Sequence, residues 1–336
     1  MGDVVLRVTH PERVFWPTTD SAPAYTKRDL LRYLTRVAVY LLPHLRDRPL
    51  TLKRYPTGIT GKHFYQKHVE TPLPDFVERA SLFAEEHQEA GDNVVCNNLP
   101  TLLWLGQMGN LELHPWYSRL TGSPDAEHHP TNFSDSVESL EASVLNHPDF
   151  MVFDLDPYLY SGRERRGQEP ELHEAGYRRT CEAALWLKNV LDQLRLPSFV
   201  KTSGKTGLHI FAPIVRQLDY DTVRRVSEQI CRFVLAQHPA ELTMEWTIAR
   251  RDGKVFLDHN QNTRGKTLAS AYSPRALPGA PVPLPLQWDD LERVYPTDFT
   301  MGNVARRLAD VGDVWRDLLA AKADLTAALG AQAAAA

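Results

Sequence analysis

Two aspartates, separated by one leucine, end an apolar run in the segment Phe153-Asp154-Leu155-Asp156-Pro157. Because side chains alternate along a β-strand, Asp154 and Asp156 leave such a strand on the same face. A third acid, Asp258, ends a second apolar run. Neighbouring carboxylates do not all stay ionised without a cation, and oxygen ligands suit Mg²⁺ or Mn²⁺. The three acids predict a site for two ions roughly 4 Å apart, as used for displacement at phosphorus.

A pair of aspartates with this spacing is common, and it often lies at a solvated strand end. The segment Lys201-Thr202-Ser203-Gly204-Lys205-Thr206-Gly207-Leu208-His209 adds support. It is not a P-loop, because Phe199 stands where that loop needs glycine and a strand pattern follows it. Its glycines permit a tight turn that aims backbone N–H groups, Ser203 and Lys205 at a phosphate. His209 would approach the same anion, although a plain hairpin and a core histidine are the alternatives.

A third motif runs from Arg250 to Asn262. It predicts a turn at Asp252-Gly253 followed by the strand that ends in Asp258. Further basic residues follow, namely Arg264, Lys266 and Arg275. Cations around a carboxylate-bound metal suit a nucleoside triphosphate, whose charge is spread over several oxygens. Ordinary surface charge pairing is the alternative for any one arginine.

Basic and aromatic residues are interleaved in the first third of the chain. They are Arg13, Phe15, Trp16, Lys27, Lys53, Arg54, Lys62, Phe64, Tyr65 and Lys67. Cations combined with stacking aromatics suit single-stranded or broken nucleic acid. A solvated basic face with a hydrophobic anchor is the competing interpretation. The histidines nearby lack a zinc-binding spacing, so no structural metal is predicted.

The bulk composition limits the class of protein. The chain has 336 residues, of which 43% are hydrophobic and 24% charged, and a net charge of -4. These values are ordinary for a globular protein with a real core, and any nucleic-acid surface must be a local patch. Three distant cysteines predict buried thiols rather than a disulfide. No signal peptide or long apolar stretch is found, so a cytoplasmic, nucleoid-associated protein is expected.

Strand and helix patterns alternate without a strict period, which favours an α+β fold with mixed or antiparallel central sheets flanked by helices. Helices are predicted over about 27–46, 100–109, 173–195, 220–237 and 304–328. Strands are predicted over 49–55, 111–114, 150–155, 198–202, 208–214, 242–248 and 254–259, with shorter elements near 4–17 and 63–67. We expect one catalytic domain, 1–330, built from an N-terminal module (1–117), an insertion loop (118–148), a core (149–300), a C-terminal helix (301–330) and a frayed tail (331–336).

The ordered motifs resemble the archaeo-eukaryotic primase superfamily, and more narrowly the polymerase domain of bacterial DNA ligase D and its stand-alone relatives. The opening segment His10 to Pro17, the pair Thr26-Lys27 and the stretch Arg48 to Lys67 also match that family's pattern. The resemblance covers nearly the whole chain. It implies an RRM-like catalytic core with an N-terminal α/β module. It also implies a template-dependent nucleotidyltransferase that fills short gaps during end joining or excision repair.

The resemblance also implies roles for individual residues. The metals, with Mn²⁺ preferred and Mg²⁺ as the second choice, would be bound by Asp154, Asp156 and Asp258. The incoming NTP or dNTP, with ribonucleotides favoured, would be held by Ser203, Lys205, His209, Arg251, Gln261, Arg275 and His114. Gapped or broken DNA with a 5′-phosphate would be bound by Arg13, Lys27, Arg54, Phe64, Tyr65 and Lys67. A DNA ligase and an end-binding Ku-type protein are further expected partners.

The chain departs from the family pattern at several positions. Arg13 stands where a lysine is usual, and His10 stands where an asparagine is usual. Some relatives place the turn lysine one residue later than Lys205, at the position of Thr206. No Lys-x-Asp-Gly ligase motif occurs, so this chain alone should not seal nicks. Two other classes stay open, a metal-dependent nuclease or phosphatase and a non-catalytic module that binds DNA ends. The complete acid triad, the turn from Ser203 to His209 and Arg275 favour the polymerase.

Overall fold

The computed structural model of the chain describes residues 4–69, 72–84, 88–165 and 167–333. The chain divides into two units. The first comprises Met1–His147, Thr267–Pro283 and Thr297–Asp313, and the second comprises Pro148–Lys266, Leu284–Pro296 and Val314–Ala336. The boundary between His147 and Pro148 lies next to residue 149, the predicted start of the core. After residue 266 the chain returns to the first unit twice, at Thr267–Pro283 and at Thr297–Asp313.

Seven helices and thirteen strands occur within the described ranges. The helices are α1 (Lys27–Leu45), α2 (Leu99–Gln107), α3 (Val137–Ala142), α4 (Glu174–Gln193), α5 (Tyr220–Gln237), α6 (Val304–Val311) and α7 (Leu325–Ala333). The strands are β1 (Val14–Trp16), β2 (Tyr25–Thr26), β3 (Leu50–Arg54), β4 (Phe64–Gln66), β5 (Glu78–Ala84), β6 (Glu89–Val95), β7 (Asn110–Pro115), β8 (Phe150–Pro157), β9 (Phe199–Thr202), β10 (Leu208–Pro213), β11 (Leu242–Thr243), β12 (Val255–Asp258) and β13 (Pro285–Leu286).

The second unit is built on a six-stranded sheet in the order β11-β12-β8-β10-β9-β13. All of its pairs are antiparallel except β11 with β12. Helix α4 contacts β8, β10 and β12, and α5 contacts β8. Met151, Phe153 and Leu155 of β8 are fully buried, and a Cβ at Gly176 of α4 would lie 3.5 Å from Pro157 Cβ. Since these β8 residues share one face, α4 covers the face opposite Asp154 and Asp156.

The first unit combines a three-stranded sheet, β4-β3-β7, with the hairpin β5-β6 and the short pair β1-β2. Helix α1 begins at a capping box, in which the Thr26 and Asp29 side chains each accept from the other's backbone N–H. Helix α1 packs on α2. The approach is close at Gly106, where an added Cβ would lie 2.8 Å from Leu34 Cδ1. The small residue therefore allows the two helices to meet.

The predicted fold class is confirmed, because antiparallel sheets flanked by helices make up the described chain. Several segments differ from the prediction. The single helix predicted over 304–328 is wrong: α6 ends at Val311, where Gly312 adopts φ 71°, and α7 begins only at Leu325. A positive φ at glycine is a common helix stop. The sequence pattern does not indicate the polar hairpin β5-β6.

Three further segments also differ in detail. The predicted insertion loop over 118–148 contains α3 and a 3₁₀ turn at Val144–Asn146. The strand predicted over 242–248 is only the two-residue β11, and a 3₁₀ turn follows at Ile248–Arg250. Of the predicted frayed tail, residues 331–333 continue α7 and residues 334–336 lie outside the described residues.

No helix in the described ranges combines the length and apolar character that crossing a bilayer requires.

Candidate active site

Three aspartates of the second unit, Asp154, Asp156 and Asp258, lie on one face of the central sheet. Strand β8 pairs with β12 on one side, where Asp154 is opposite Asp258, and with β10 on the other, where Asp154 is opposite His209. Directly paired residues point to the same face with their Cβ atoms about 5 Å apart. Asp156, two residues beyond Asp154, shares that face. The fold thus brings together the three aspartates that the sequence pattern singled out.

Gln261 joins two of these carboxylates. Its Nε2 donates to Asp154 Oδ2 at 3.4 Å and to Asp258 Oδ2 at 3.2 Å. It lies on a 3₁₀ turn, His259–Asn262, that Asp258 caps by accepting from the Asn260 backbone N–H at 2.9 Å. The two acids and the amide therefore form one hydrogen-bonded group.

Asn262 fixes this turn against β8. Its side-chain amide accepts from the Val152 N–H and donates to the Val152 carbonyl, both at 2.7 Å. It also donates to Ser227 Oγ at 3.0 Å. Asn262 is almost fully buried, so the backbone of β8 itself determines where Asp258 and Gln261 lie.

Burial raises the pKa of Asp156 to about 6, and the negative charges of Glu169 and Asp258 add to that shift against the charges of Lys205 and Arg251. A bound cation would favour the ionised form of such a carboxyl. The donor set consists of carboxylate oxygens, which suits a hard divalent ion. Within the described residues, no three or more His, Cys, Asp or Glu side chains are already arranged around a single metal position. The aspartates therefore offer the donors without forming a preassembled cage.

The turn between β9 and β10 lies directly beside these acids. Ser203 Oγ accepts from the N–H groups of Lys205 and Gly207 at 3.1 and 3.0 Å, and the Ser203 N–H donates to the Gly207 carbonyl at 2.9 Å. A Cβ at Gly207 would lie 2.1 Å from the Leu155 carbonyl oxygen and 3.0 Å from Asp156 Oδ1. Only glycine permits this approach. Lys205 is partly exposed and forms an ion pair with Glu169.

Arg251 is enclosed rather than extended towards a ligand. Its guanidinium donates to Tyr158 Oη and to the carbonyls of Glu245 and Trp246, each at 2.7 Å. It stacks 3.4 Å from the ring centre of Phe256, which pairs with Asp156 across the sheet. These contacts explain the position of Arg251 by protein groups alone, and its binding of nucleotide stays a prediction.

Two predicted nucleotide ligands, His114 and Arg275, belong to the first unit and meet at Glu112. Glu112 Oε2 accepts from His114 Nε2 at 3.1 Å and lies 3.3 Å from Arg275 Nε. Lys53 Nζ lies 3.9 Å from Glu112 Oε1. Burial would raise the pKa of Glu112, but the His114 hydrogen bond and the Arg275 charge hold it well below its usual range. Burial lowers the pKa of His114, so we treat this imidazole as a neutral donor.

The predicted stacking residues lie on the exposed part of the same unit. Phe64 and Tyr65 of β4 are 45% and 62% exposed. Arg54 lies 5.7 Å from the Phe64 ring centre and donates through Nε to the Met108 carbonyl at 2.9 Å. Lys53 Nζ lies 5.4 Å from the Tyr65 ring centre. Lys67 follows β4 and is exposed. Aromatic rings beside cations are thus present on the surface as expected.

Lys27 occupies a polar site at the start of α1. Its Nζ donates to the Thr9 carbonyl at 2.8 Å and to Gln107 Oε1 at 3.4 Å. Burial and the neighbouring charge of Arg13 lower the pKa of Lys27. Arg13 itself donates to the Pro56 carbonyl at 2.9 Å. The structure therefore places the two predicted phosphate-binding cations close together.

Four residues with close contacts to these groups were not predicted as site residues: Glu112, Gln107, Asn262 and Lys201. Glu112 and Lys201 stand inside segments that the sequence pattern marked, two residues from His114 and from Ser203 respectively. Their partners come from other strands, and local spacing carries no signal for such contacts.

Comparison with known proteins defines the class. The model of the family described as LigD, primase-polymerase domain, matches residues 26–315. The chain belongs to this family, and the resemblance expected from its motifs is confirmed. Polymerase domains of this kind depend on metal ions.

Individual relatives show how far the likeness extends. The multifunctional non-homologous end joining protein LigD of Pseudomonas aeruginosa is 28% identical over 331 residues, which cover 97% of this chain and 34% of that protein. The bifunctional LigD of Bacillus subtilis is 29% identical over 289 residues, or 85% of this chain and 40% of that protein. The chain thus spans 34% to 40% of the lengths of these two relatives.

A solved structure has the same fold. The polymerase domain of Mycobacterium tuberculosis ligase D, in complex with DNA, superposes with a TM-score of 0.78 at 24% identity. The match covers 95% of this chain and 99% of that domain. The agreement extends over both units described above.

Proposed function

We propose that this chain is a template-dependent polymerase that adds nucleotides to a DNA 3′ end and fills short gaps bounded by a 5′-phosphate. The observation that carries the proposal is the position of Asp258 opposite Asp154, with Asp156 on the same face of the sheet. Membership of the primase-polymerase family supports it. The related proteins are named for non-homologous end joining, so we propose DNA break repair as the process.

Asp154, Asp156 and Asp258 are proposed to hold two divalent ions, with Mn²⁺ preferred and Mg²⁺ as the second choice. When bound, such ions activate the attacking hydroxyl and neutralise the phosphate charge of an in-line displacement. Gln261 keeps two of the carboxylates in register by donating to both. The protein therefore contributes carboxylate oxygens that the sheet holds in fixed positions, ready to bind the ions.

Nucleotide-binding roles are proposed for individual residues of each unit, taken separately. In the second unit, the turn that Ser203 holds together by accepting from two backbone N–H groups carries the cation of Lys205 beside the acids, and His209 stands next to Asp154. In the first unit, Arg275 and His114 are held by Glu112. Arginine suits a triphosphate because its fork matches phosphate oxygens. Both NTPs and dNTPs are proposed substrates, with ribonucleotides favoured.

DNA binding is proposed for the first unit. Lys27 and Arg13 would hold the 5′-phosphate across the gap, because they place two cations together in a polar site. The exposed rings of Phe64 and Tyr65 would stack on unpaired bases, and Arg54 and Lys67 would contact the backbone. A DNA ligase and a Ku-type protein are proposed partners, since the relatives are named for end joining.

The proposal is tested with a labelled primer on a 5′-phosphorylated gapped duplex, incubated with Mn²⁺ and each nucleotide triphosphate. The wild type should lengthen the primer until the gap is filled. Asp156→Ala should abolish extension and leave gap binding largely intact. Asp192→Ala removes an exposed carboxylate of α4 and serves as the matched control, which should extend normally.

Other outcomes would contradict the proposal. Primer shortening would indicate a nuclease, and release of inorganic phosphate would indicate a phosphatase. Gap binding without any change of primer length in the wild type would indicate a module that binds DNA ends without catalysis.

A further inference from the structure

One tryptophan of the second unit is exposed on the side of the sheet that carries the acids. Trp246 follows the edge strand β11 and is 63% exposed. It is the only exposed one of the chain's seven tryptophans, all of which lie in the described ranges. Its ring centre lies 6.3 Å from that of Phe256, which is opposite Asp156. Because directly paired residues share a face, Phe256 connects Trp246 to the face of the three aspartates.

Arg251 fixes the backbone that carries this tryptophan. Its guanidinium donates to the carbonyls of Glu245 and Trp246, each at 2.7 Å, and to Tyr158 Oη at the same distance. It lies 3.4 Å from the ring centre of Phe256 and 5.9 Å from that of Trp246. Arg251 is only 6% exposed. A buried arginine thus holds an exposed ring in place, so a ligand of this ring binds with little further ordering of the protein.

A fixed and exposed indole suits a nucleobase. Single exposed apolar residues are normal on protein surfaces, but they do not require a buried cation to hold their backbone. Burying such a cation is costly unless it is well paired, and here two of its three hydrogen bonds go to the segment that presents Trp246. Bases stack on aromatic rings whatever their sequence, because every base has a flat π-face.

The order of the strands indicates which part of a substrate meets Trp246. The turn from Ser203 to Gly207 joins β9 and β10, whereas Trp246 follows β11 at the other edge of the sheet. The aspartates on β8 and β12 lie between these two places. In an in-line displacement, the attacking and leaving oxygens lie on opposite sides of the phosphorus. If the turn binds the triphosphate, the strand with the attacking 3′-hydroxyl lies on the side of Trp246.

We propose that Trp246 binds an unpaired base of the strand whose 3′ end is extended, by stacking on its face. The inference rests on the proposed function, because it assigns that strand to one side of the same aspartates. A base inside a duplex is already stacked on its neighbours. The ligand is therefore a single-stranded 3′ overhang, which is a common product of DNA breakage.

Tryptophan fluorescence reports this contact directly, because Trp246 is the exposed tryptophan. The full chain is titrated, without metal or nucleotide triphosphate, with a duplex that carries a 3′ overhang. Three other probes are compared with it: the same duplex with a blunt end, the same overhang built from abasic sites, and free ATP. The abasic overhang keeps every phosphate and lacks the bases, so it separates stacking from attraction by charge.

Three variants accompany the titration. Trp246→Ala removes the ring, and Trp246→Phe keeps a smaller ring that still stacks. Phe233→Ala is the matched control, because Phe233 is 55% exposed on α5. It lines a groove with Val190 and Leu194 of α4, the helix on the opposite face of the sheet. Unfolding in urea establishes that each variant is folded.

The overhang should quench the fluorescence of the wild type, and this quenching should be absent from Trp246→Phe. Binding of the labelled overhang, followed by fluorescence anisotropy, should be at least about fivefold weaker for Trp246→Ala. Trp246→Phe and Phe233→Ala should bind close to the wild type. The blunt duplex, the abasic overhang and ATP should cause little quenching.

The proposal is overturned if folded Trp246→Ala binds the overhang as tightly as the wild type does. It is also overturned if the abasic overhang, the blunt duplex or ATP quenches the wild type as strongly as the intact overhang. If Trp246→Ala does not fold, the abasic probe and Trp246→Phe still decide the matter. Metal and triphosphate are absent, so a negative result would leave the extension assay unaffected, and an inactive polymerase could still bind the overhang through Trp246.

Discussion

Asp258 lies directly opposite Asp154 across the antiparallel pair of β12 and β8. Two acidic side chains that point to the same face at this spacing repel each other. Gln261 reduces the repulsion by donating to both, but an amide cannot neutralise their charge. The geometry therefore favours binding of a cation, which agrees with the metal dependence of this class of domain.

The turn glycine next to the acids should be intolerant of a side chain. A Cβ at Gly207 would lie 2.1 Å from the Leu155 carbonyl oxygen, so Gly207→Ala must displace the turn from β8. We expect a loss of about 1–3 kcal/mol in the free energy of unfolding and weaker Mn²⁺ binding, because Asp156 Oδ1 lies beside the same position. Urea unfolding and Mn²⁺ titration check this. Gly330→Ala, in α7, where an added Cβ would have nothing within 4 Å and no positive φ is required, serves as a control, and equal effects of the two substitutions would contradict the account.

The phosphate-binding role of Lys27 predicts a selective defect. Lys27→Ala should reduce extension on a 5′-phosphorylated gap and have little effect on the same gap with a 5′-hydroxyl, because the lysine is proposed to contact only that phosphate. The ratio of the two initial rates is the measurement. Arg28→Ala removes the next side chain, which is exposed and paired with Glu12, and should keep the wild-type ratio. An equal loss on both substrates would show that Lys27 is needed for the fold or for chemistry instead.

The buried acid of the first unit should give stability that depends on pH. The pKa of Glu112 is lower in the folded chain than its ordinary value of 4.5. Such a carboxyl stabilises the fold above that ordinary value, and its contribution is lost as the pH falls towards the folded pKa. Glu112→Gln should therefore cost about 3 kcal/mol at pH 7, because it leaves Arg275 and Lys53 without their buried charge partner.

The cost of Glu112→Gln should shrink progressively as the pH falls below 4.5, and urea unfolding across that range measures it. Glu12→Gln is the control, since Glu12 is an exposed partner of Arg28, and surface pairs contribute about 1 kcal/mol or less. A cost for Glu112→Gln that does not change with pH would show that shape, and not charge, is what the site requires.

Arg251 should respond to substitution mainly through stability. A lysine at this position cannot reproduce three hydrogen bonds from one planar group or its stacking on Phe256. Arg251→Lys should lower the free energy of unfolding by about 2 kcal/mol or more. The KM for the nucleotide should change little. The opposite pattern, an unchanged stability with a much larger KM, would instead support direct contact between Arg251 and the nucleotide.

Local patterns in the sequence predicted much of the second unit. The alternation of side chains placed Asp154 and Asp156 on one face, and the helix period gave α4 and α5 close to their observed limits. The ends of the apolar runs indicated that Asp258 joins Asp154 and Asp156 in one site, but its direct pairing with Asp154 was not predicted, because strand register is a long-range property. No local sequence pattern pointed to Lys201, because its partner His209 lies on the next strand, beyond a turn.

The first unit was harder to predict. Hairpin β5-β6 carries many polar residues and lacks a clear apolar alternation, so the strand period was hidden. Glu112 stands in an alternating strand as an ordinary polar residue would. Its burial follows from Arg275 and Lys53, which arrive from distant parts of the chain. The error at α6 was local, because Gly312 is a recognisable helix stop.

The most direct test of the account is Mn²⁺ binding to the wild type and to Asp258→Asn, measured without nucleotide or DNA. Asparagine keeps the size of the side chain and removes its charge. Asp192→Asn makes the same change at an exposed position of α4 and is the control. If the three aspartates share a divalent site, Asp258→Asn should weaken Mn²⁺ binding at least tenfold, and Asp192→Asn should bind like the wild type. Identical binding curves for the wild type and Asp258→Asn would contradict the central claim that these acids hold the metal.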